Sequence, residues 1–148
     1  MRVRKFILKG LAVLLVIGII AEICAQISTH LNYRKAERVG STAQSFPKDY
    51  RREQVIDFLE SEGLTHEYVV GNRLYFYGYD GRKYKYNDNA SVVLDNGYAL
   101  SDIAGYVRTI IPNTHNSLFV DGETAYYFSF DRDGRLLEVA RDERFTGL

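Results

Sequence analysis

The residues able to do chemistry are few and scattered. The three histidines, His30, His66 and His115, have no pair at helical spacing, so a helix-borne metal motif is absent. Cys24 is the single cysteine and lies in an apolar stretch, which leaves the rest of the chain without disulfides or thiolate zinc sites. No Gly-x-Ser-x-Gly and no Gly-rich phosphate loop occurs. Instead Gly71, Gly81, Gly97, Gly122 and Gly134 each stand in a turn context.

Asp131-x-Asp133-Gly134 has the opening of a calcium loop. Glycine stands at its fourth place, however, and Arg135 at its fifth, where a ligand is needed. A turn with Gly134 in the left-handed region is the better reading. Asn89-Ala90-Ser91 spells a glycosylation sequon, and the pairs Glu60/Glu62 and Asp142/Glu143 read as solvated faces. The expectation is a chain with no catalytic constellation, no metal and no cofactor. An enzyme whose His66 or His115 meets a carboxylate in space is the remote alternative.

Tyrosine is the other chemistry on offer. The chain has 12 Tyr and 8 Phe but no Trp. Tyr75, Tyr77 and Tyr79 alternate, as do Tyr84 and Tyr86 across Asp80-Gly81, a strong hairpin signal. Strand rings of this kind either pack beneath a helix or form an amphipathic binding surface. These five tyrosines are the candidate binding surface, flanked by Arg82, Lys83 and Lys85. A protein partner and a cell-wall glycan both suit such a surface.

What must carry these residues begins with an apolar segment, Phe6 to Ile27, broken only by Lys9, Glu22 and Gln26. A helix needs about 20 apolar residues to cross a bilayer, and this stretch is long enough. The uninterrupted run, Gly10 to Ala21, also has signal-peptide length, and Arg2, Arg4 and Lys5 make a basic start. No small-x-small cleavage pattern precedes Ala25 or Ala21. An uncleaved anchor is therefore preferred over a cleaved signal or a buried helix. The basic N-terminus points to the cytoplasm, with the rest of the chain periplasmic or extracellular and the anchor in the inner (cytoplasmic) membrane as a single pass.

The expected domains are the anchor or signal segment 1–27, a tether 28–44 and an extracytoplasmic α+β domain 45–148. Charge divides along the same line. Residues 1–35 hold six Lys/Arg against one acidic residue, and the remainder has a net charge of −5. A mildly acidic domain argues against nucleic acid as a partner.

In the domain, Val55, Ile56, Phe58 and Leu59 form the apolar stripe of a helix over Lys48–Glu62, with Ser45 as a candidate cap and Gly63 just beyond the end. The period then falls from 3.6 to 2. Strands are expected at Glu67–Val70, Leu74–Tyr79, Arg82–Tyr86 and Ser91–Leu94. Ile103–Ile111 has helical spacing at some positions, but its β-branched residues and Gly105 favour strand, ended by Pro112-Asn113. A last hairpin runs Thr124–Phe130 and Arg135–Val139. Tyr126, Phe128 and Phe130 share a face, and Leu137 with Val139 is the pair expected inside. The architecture is one helix packed on a mainly antiparallel sheet of hairpins, an α+β domain behind an N-terminal transmembrane helix.

This order, with Phe130-Asp131, Asp133-Gly134-Arg135-Leu136 and the closing Thr146-Gly147-Leu148, resembles small, uncharacterised bacterial envelope proteins with an N-terminal anchor. The resemblance implies location and fold class and no activity. The expected function is a membrane-tethered, non-enzymatic envelope domain that binds a protein as an accessory or inhibitor. A glycan or small-ligand binding module is the alternative.

Overall fold

The computed structural model describes residues 2–47, 49–71, 76–77, 83–84, 102–117 and 120–147. It is α+β: a long N-terminal helix, a second short helix and a four-stranded antiparallel sheet.

Helix α1 runs Arg2–Gln44, 43 residues, or about 65 Å at the α-helical rise. Every Leu, Val and Ile from Leu11 to Leu31 is exposed, so the apolar surface here runs all round the helix, as in a segment solvated by lipid. It is long and apolar enough to cross a membrane, a test that a signal sequence near an N-terminus also passes.

The stretch expected as a tether, 28–44, is the last part of this helix, and from Ala36 onward it packs into the core. Ala36, Val39 and Ala43 are buried, and Gly40 lies against the ring of Tyr126. These positions have the i, i+3, i+4, i+7 spacing of a core-facing stripe, built from small side chains. Gly40 therefore does not break the helix; it lets the helix approach the sheet. Ser45 ends α1, its Oγ donating to the Thr42 carbonyl at 2.6 Å.

Helix α2 spans Arg52–Ser61, not Lys48–Glu62. Its start is set by a β-bridge between Arg51 and Arg135, which holds Arg51 extended. Gln54 Oε1 accepts the Arg51 backbone N–H at 2.8 Å, filling the capping role expected of Ser45. The C-terminus follows the sequence signal. Gly63 takes φ +63°, and the Leu64 N–H donates to the Leu59 carbonyl at 2.9 Å, placing Leu64 in the core.

The sheet has strand order β1-β4-β5-β6, with β1 His66–Val70, β4 Gly105–Ser117, β5 Val120–Phe130 and β6 Leu136–Gly147. The segment after Ile103 is strand, as the β-branched residues require. It does not end at Pro112-Asn113. Two extra residues there form a bulge between the Ile111–Thr124 and His115–Gly122 pairs. Pro112 and Asn113 are exposed, so the ladder loses no buried donor, and Asn113 takes φ +51°. A separate two-stranded ribbon, β2 Phe76–Tyr77 and β3 Lys83–Tyr84, is antiparallel, as the Asp80-Gly81 signal predicts.

Val107, Ile111, Tyr126, Phe128 and Phe130 face α1 and α2 and form the main core with Val55 and Leu59. The final hairpin closes as expected at Asp131–Gly134. Asp131 Oδ1 accepts the Asp133 and Arg135 N–H groups at 2.9 and 2.8 Å, and Gly134 takes φ +74°. One inward pair differs from expectation. The register shifts between Ser129 and Phe130, which pair with Glu138 and Leu136. The extra residue, Leu137, breaks the alternation, so Leu136 rather than Leu137 joins Val139 against the core.

Candidate functional site

The junction of α1 with the sheet is the most specifically built feature of the chain. The Tyr126 hydroxyl, fully buried, donates to the Ala36 carbonyl at 2.7 Å. A Cβ on Gly40 would lie 2.7 Å from that hydroxyl oxygen, so only glycine fits beside it without displacement. Around this contact, Arg141 of β6 reaches Glu37 of α1 and Glu143 of its own strand, each at 2.7 Å. Partial burial works to lower the Arg141 pKa, but the hydrogen bond to Glu37 and the surrounding negative charge outweigh it and raise it. Arg38 pairs with Glu62 at the end of α2. Thus α1 is pinned to β5, β6 and α2 at residues 36–40, beyond its apolar span.

At the near end of this junction stands a run of rings. The edge of Tyr33 meets His115 with centroids 5.7 Å apart, and His115 meets Phe145 at 5.2 Å. His115 Nδ1 also lies 3.3 Å from Thr114 Oγ1. His66 stands on β1 opposite Thr109 and His30 on the exposed part of α1, so the structure does not gather the three histidines. Cys24 is exposed on α1. Among the described residues, no three His, Cys, Asp or Glu stand close enough to hold a metal ion. Asp131, the first residue of the calcium-like spelling, has one carboxylate oxygen committed to the hairpin turn.

The opposite face of the sheet carries a second, polar-aromatic cluster. Tyr106 and Tyr127 lie buried with ring centroids 6.0 Å apart, beside Ala125 and Ala140. Arg144 donates to the Tyr127 hydroxyl and, through Nε, to Asp142 at 2.9 Å. Arg108 donates to Glu67 at 2.7 Å. Burial raises the pKa of both tyrosines, opposed at Tyr127 by the cation of Arg144 and at Tyr106 by that of Arg108. The hydrogen bond to Asp142 raises that of Arg144. Each cation has an anionic partner, so the cluster is a neutralised network.

Of the candidate tyrosines, Tyr75, Tyr79 and Tyr86 lie outside the described residues, as do the expected strand 91–94 and the side chains of Tyr77 and Tyr84. The ribbon register pairs Phe76 with Tyr84 and Tyr77 with Lys83.

Sequence reasoning missed Ala36, Gly40 and Tyr126 as a unit. The signal was present in the helical spacing of 36, 39, 40 and 43, but small side chains carry little hydropathy. No family model matches the chain, and neither the curated proteins nor the solved structures give a match.

Proposed function

We propose that the chain is a single-pass membrane protein of the cell envelope, with its N-terminus cytoplasmic and its α+β domain periplasmic or extracellular. Its domain is non-enzymatic and binds a protein partner as an accessory or inhibitory subunit. One observation carries this reading: α1 passes from its exposed apolar stretch into the domain core without a break and is pinned there by Tyr126, Arg141 and Glu62. A catalytic domain delivered to diffusing substrates needs only a flexible leash. A helix shared between span and core holds the domain at a set height and heading, which suits docking on a partner anchored in the same bilayer.

Two surfaces are available to such a partner. One is the candidate set Tyr75, Tyr77, Tyr79, Tyr84 and Tyr86, of which the described ribbon carries Tyr77 and Tyr84. The other is the outer edge of β6 beyond Val139. Before it the Leu136 N–H is taken by the Tyr50 carbonyl, while beyond it the strand's ladder partner among the described residues is β5, so that this length could accept an added strand. The test is crosslinking and capture of the full-length protein in its membrane, with a variant carrying Tyr75→Ala, Tyr77→Ala and Tyr84→Ala alongside. One near-stoichiometric partner is expected. Its loss in the variant places the surface on the ribbon, and its retention moves the surface to the β6 edge. Absence of any reproducible partner would overturn the protein-binding reading and make glycan binding by the full-length protein the next assay.

A further inference from the structure

The strand ends nearest the apolar span lie at a height that the structure sets. The edge of Tyr33 on α1 meets His115, which pairs with Gly122; Gly122 pairs in turn with Phe145. Farther along, Phe46 packs on Phe128 with centroids 6.4 Å apart. Between these two contacts the helix climbs about 17 Å to its end at Gln44 and β5 advances about 20 Å, so helix and strand run side by side. β5 leads away from the apolar span, and β4 and β6 return toward it.

Phe145 is therefore level with Tyr33. The pairs Ser117–Val120 and Val120–Gly147 lie two residues lower on β5, about 7 Å, which is the level of helix residues 28–29. If Ile27 ends the span, residues 28–33 climb about 9 Å, comparable to the roughly 5–8 Å headgroup layer on each side of a bilayer. At this level Phe145 is 56% exposed and Tyr33 39% exposed, with Leu31 open on the helix between Tyr33 and the span. Tyr33 has the amphipathic ring that favours this layer, and the exposed ring of Phe145 offers apolar surface to its inner side. Arg34 and Lys35 follow just above, in reach of lipid phosphates.

We propose that the span-facing end of the sheet, at Phe145 together with Tyr33 of α1, rests in the headgroup layer of the bilayer that holds α1. The proposal builds on the anchor reading above and adds a second contact. The lipid surface then meets the domain at the helix and at the strand ends, which fixes the tilt of the sheet as well as its height.

The absence of Trp makes this directly measurable. Three full-length variants, Ile17→Trp, Phe145→Trp and Arg132→Trp, each carry one indole: in the span, at the near end, and in the far turn. Each is reconstituted in vesicles of phosphatidylethanolamine and phosphatidylglycerol doped with nitroxide lipid, labelled either at the headgroup or deep in the acyl chain. The expected result is loss of most Ile17→Trp emission to the deep label, loss of most Phe145→Trp emission to the headgroup label, and little loss for Arg132→Trp with either. Phe145→Trp emission that survives both labels, while Ile17→Trp is quenched, overturns the seated sheet and leaves the anchor standing. Quenching of Phe145→Trp mainly by the deep label also overturns the headgroup placement. Ile17→Trp emission that survives both labels overturns the anchor and this inference with it. Should Phe145→Trp fold poorly, Phe145→Cys in a Cys24→Ser background, labelled with a small environment-sensitive dye, gives the same readout.

Discussion

Replacing Gly40 by alanine opposes two effects of known size. In a solvated helix the change favours folding by about 1 kcal/mol, because glycine loses more backbone freedom. Here the new Cβ would lie 2.7 Å from the Tyr126 hydroxyl oxygen and 3.3 Å from two carbons of its ring. Tyr126 is 1% exposed and bonded to the Ala36 carbonyl, so it has little room to retreat. Overpacking costs about 1–3 kcal/mol, and displacing the hydroxyl forfeits a further 0.5–1.5 kcal/mol or so. The net is a destabilisation of about 0.5–3.5 kcal/mol, and in a domain of this size each kcal/mol lowers the midpoint by about 4–8 °C. Thermal unfolding of the full chain in detergent, followed by near-ultraviolet circular dichroism of its tyrosines, measures it. Tyr126→Phe supplies the second leg. Alone it costs about 1 kcal/mol, and it removes the 2.7 Å contact, so Gly40→Ala costs less on that background. A raised midpoint for Gly40→Ala, additive with Tyr126→Phe, would show that residues 36–44 are a solvated tether and refute the shared helix.

Three further outcomes are expected. Asp131→Ala strands the Asp133 and Arg135 N–H groups of the last turn and lowers stability by about 1–2 kcal/mol, read as a shifted urea midpoint at unchanged slope. Asn113→Val places a β-branched residue at φ +51° and costs about 1–2 kcal/mol, whereas Asn113→Gly is near neutral. Folding raises the pKa of Tyr106 and Tyr127 through burial. Both states are protonated below pH 10 or so, and above it the unfolded state ionises first, so stability is full at neutral pH and falls as pH rises through the folded pKa. Tyr127→Phe should flatten that alkaline decline in a pH series of unfolding curves.

The elements legible in the sequence were those with local causes. Asp131-Arg132-Asp133-Gly134 closes its hairpin through hydrogen bonds within the turn, and Gly63 with Leu64 ends α2 through contacts five residues apart. Tyr126, Phe128 and Phe130 alternate inward as written. What failed depended on distant partners. The start of α2 is set by Arg135, about eighty residues away, and the Leu136–Val139 face by a bulge that no residue type announces. Pro112 read as a stop because a proline cannot donate to a ladder, yet in a bulge no donor is asked of it. The tether reading failed because alanine and glycine bury well at close approach while looking neutral to hydropathy.

The unbroken α1 turns chain length into direction. Each residue inserted between Ile27 and Tyr33 would swing the sheet by about 100° around the helix axis and raise it by about 1.5 Å. Two added residues would point the β6 edge almost the opposite way; seven would nearly restore its heading, about 10 Å higher. The short segment 28–32 therefore acts as a compass whose setting is a residue count. A single insertion or deletion there re-aims the whole domain relative to the apolar stretch of α1.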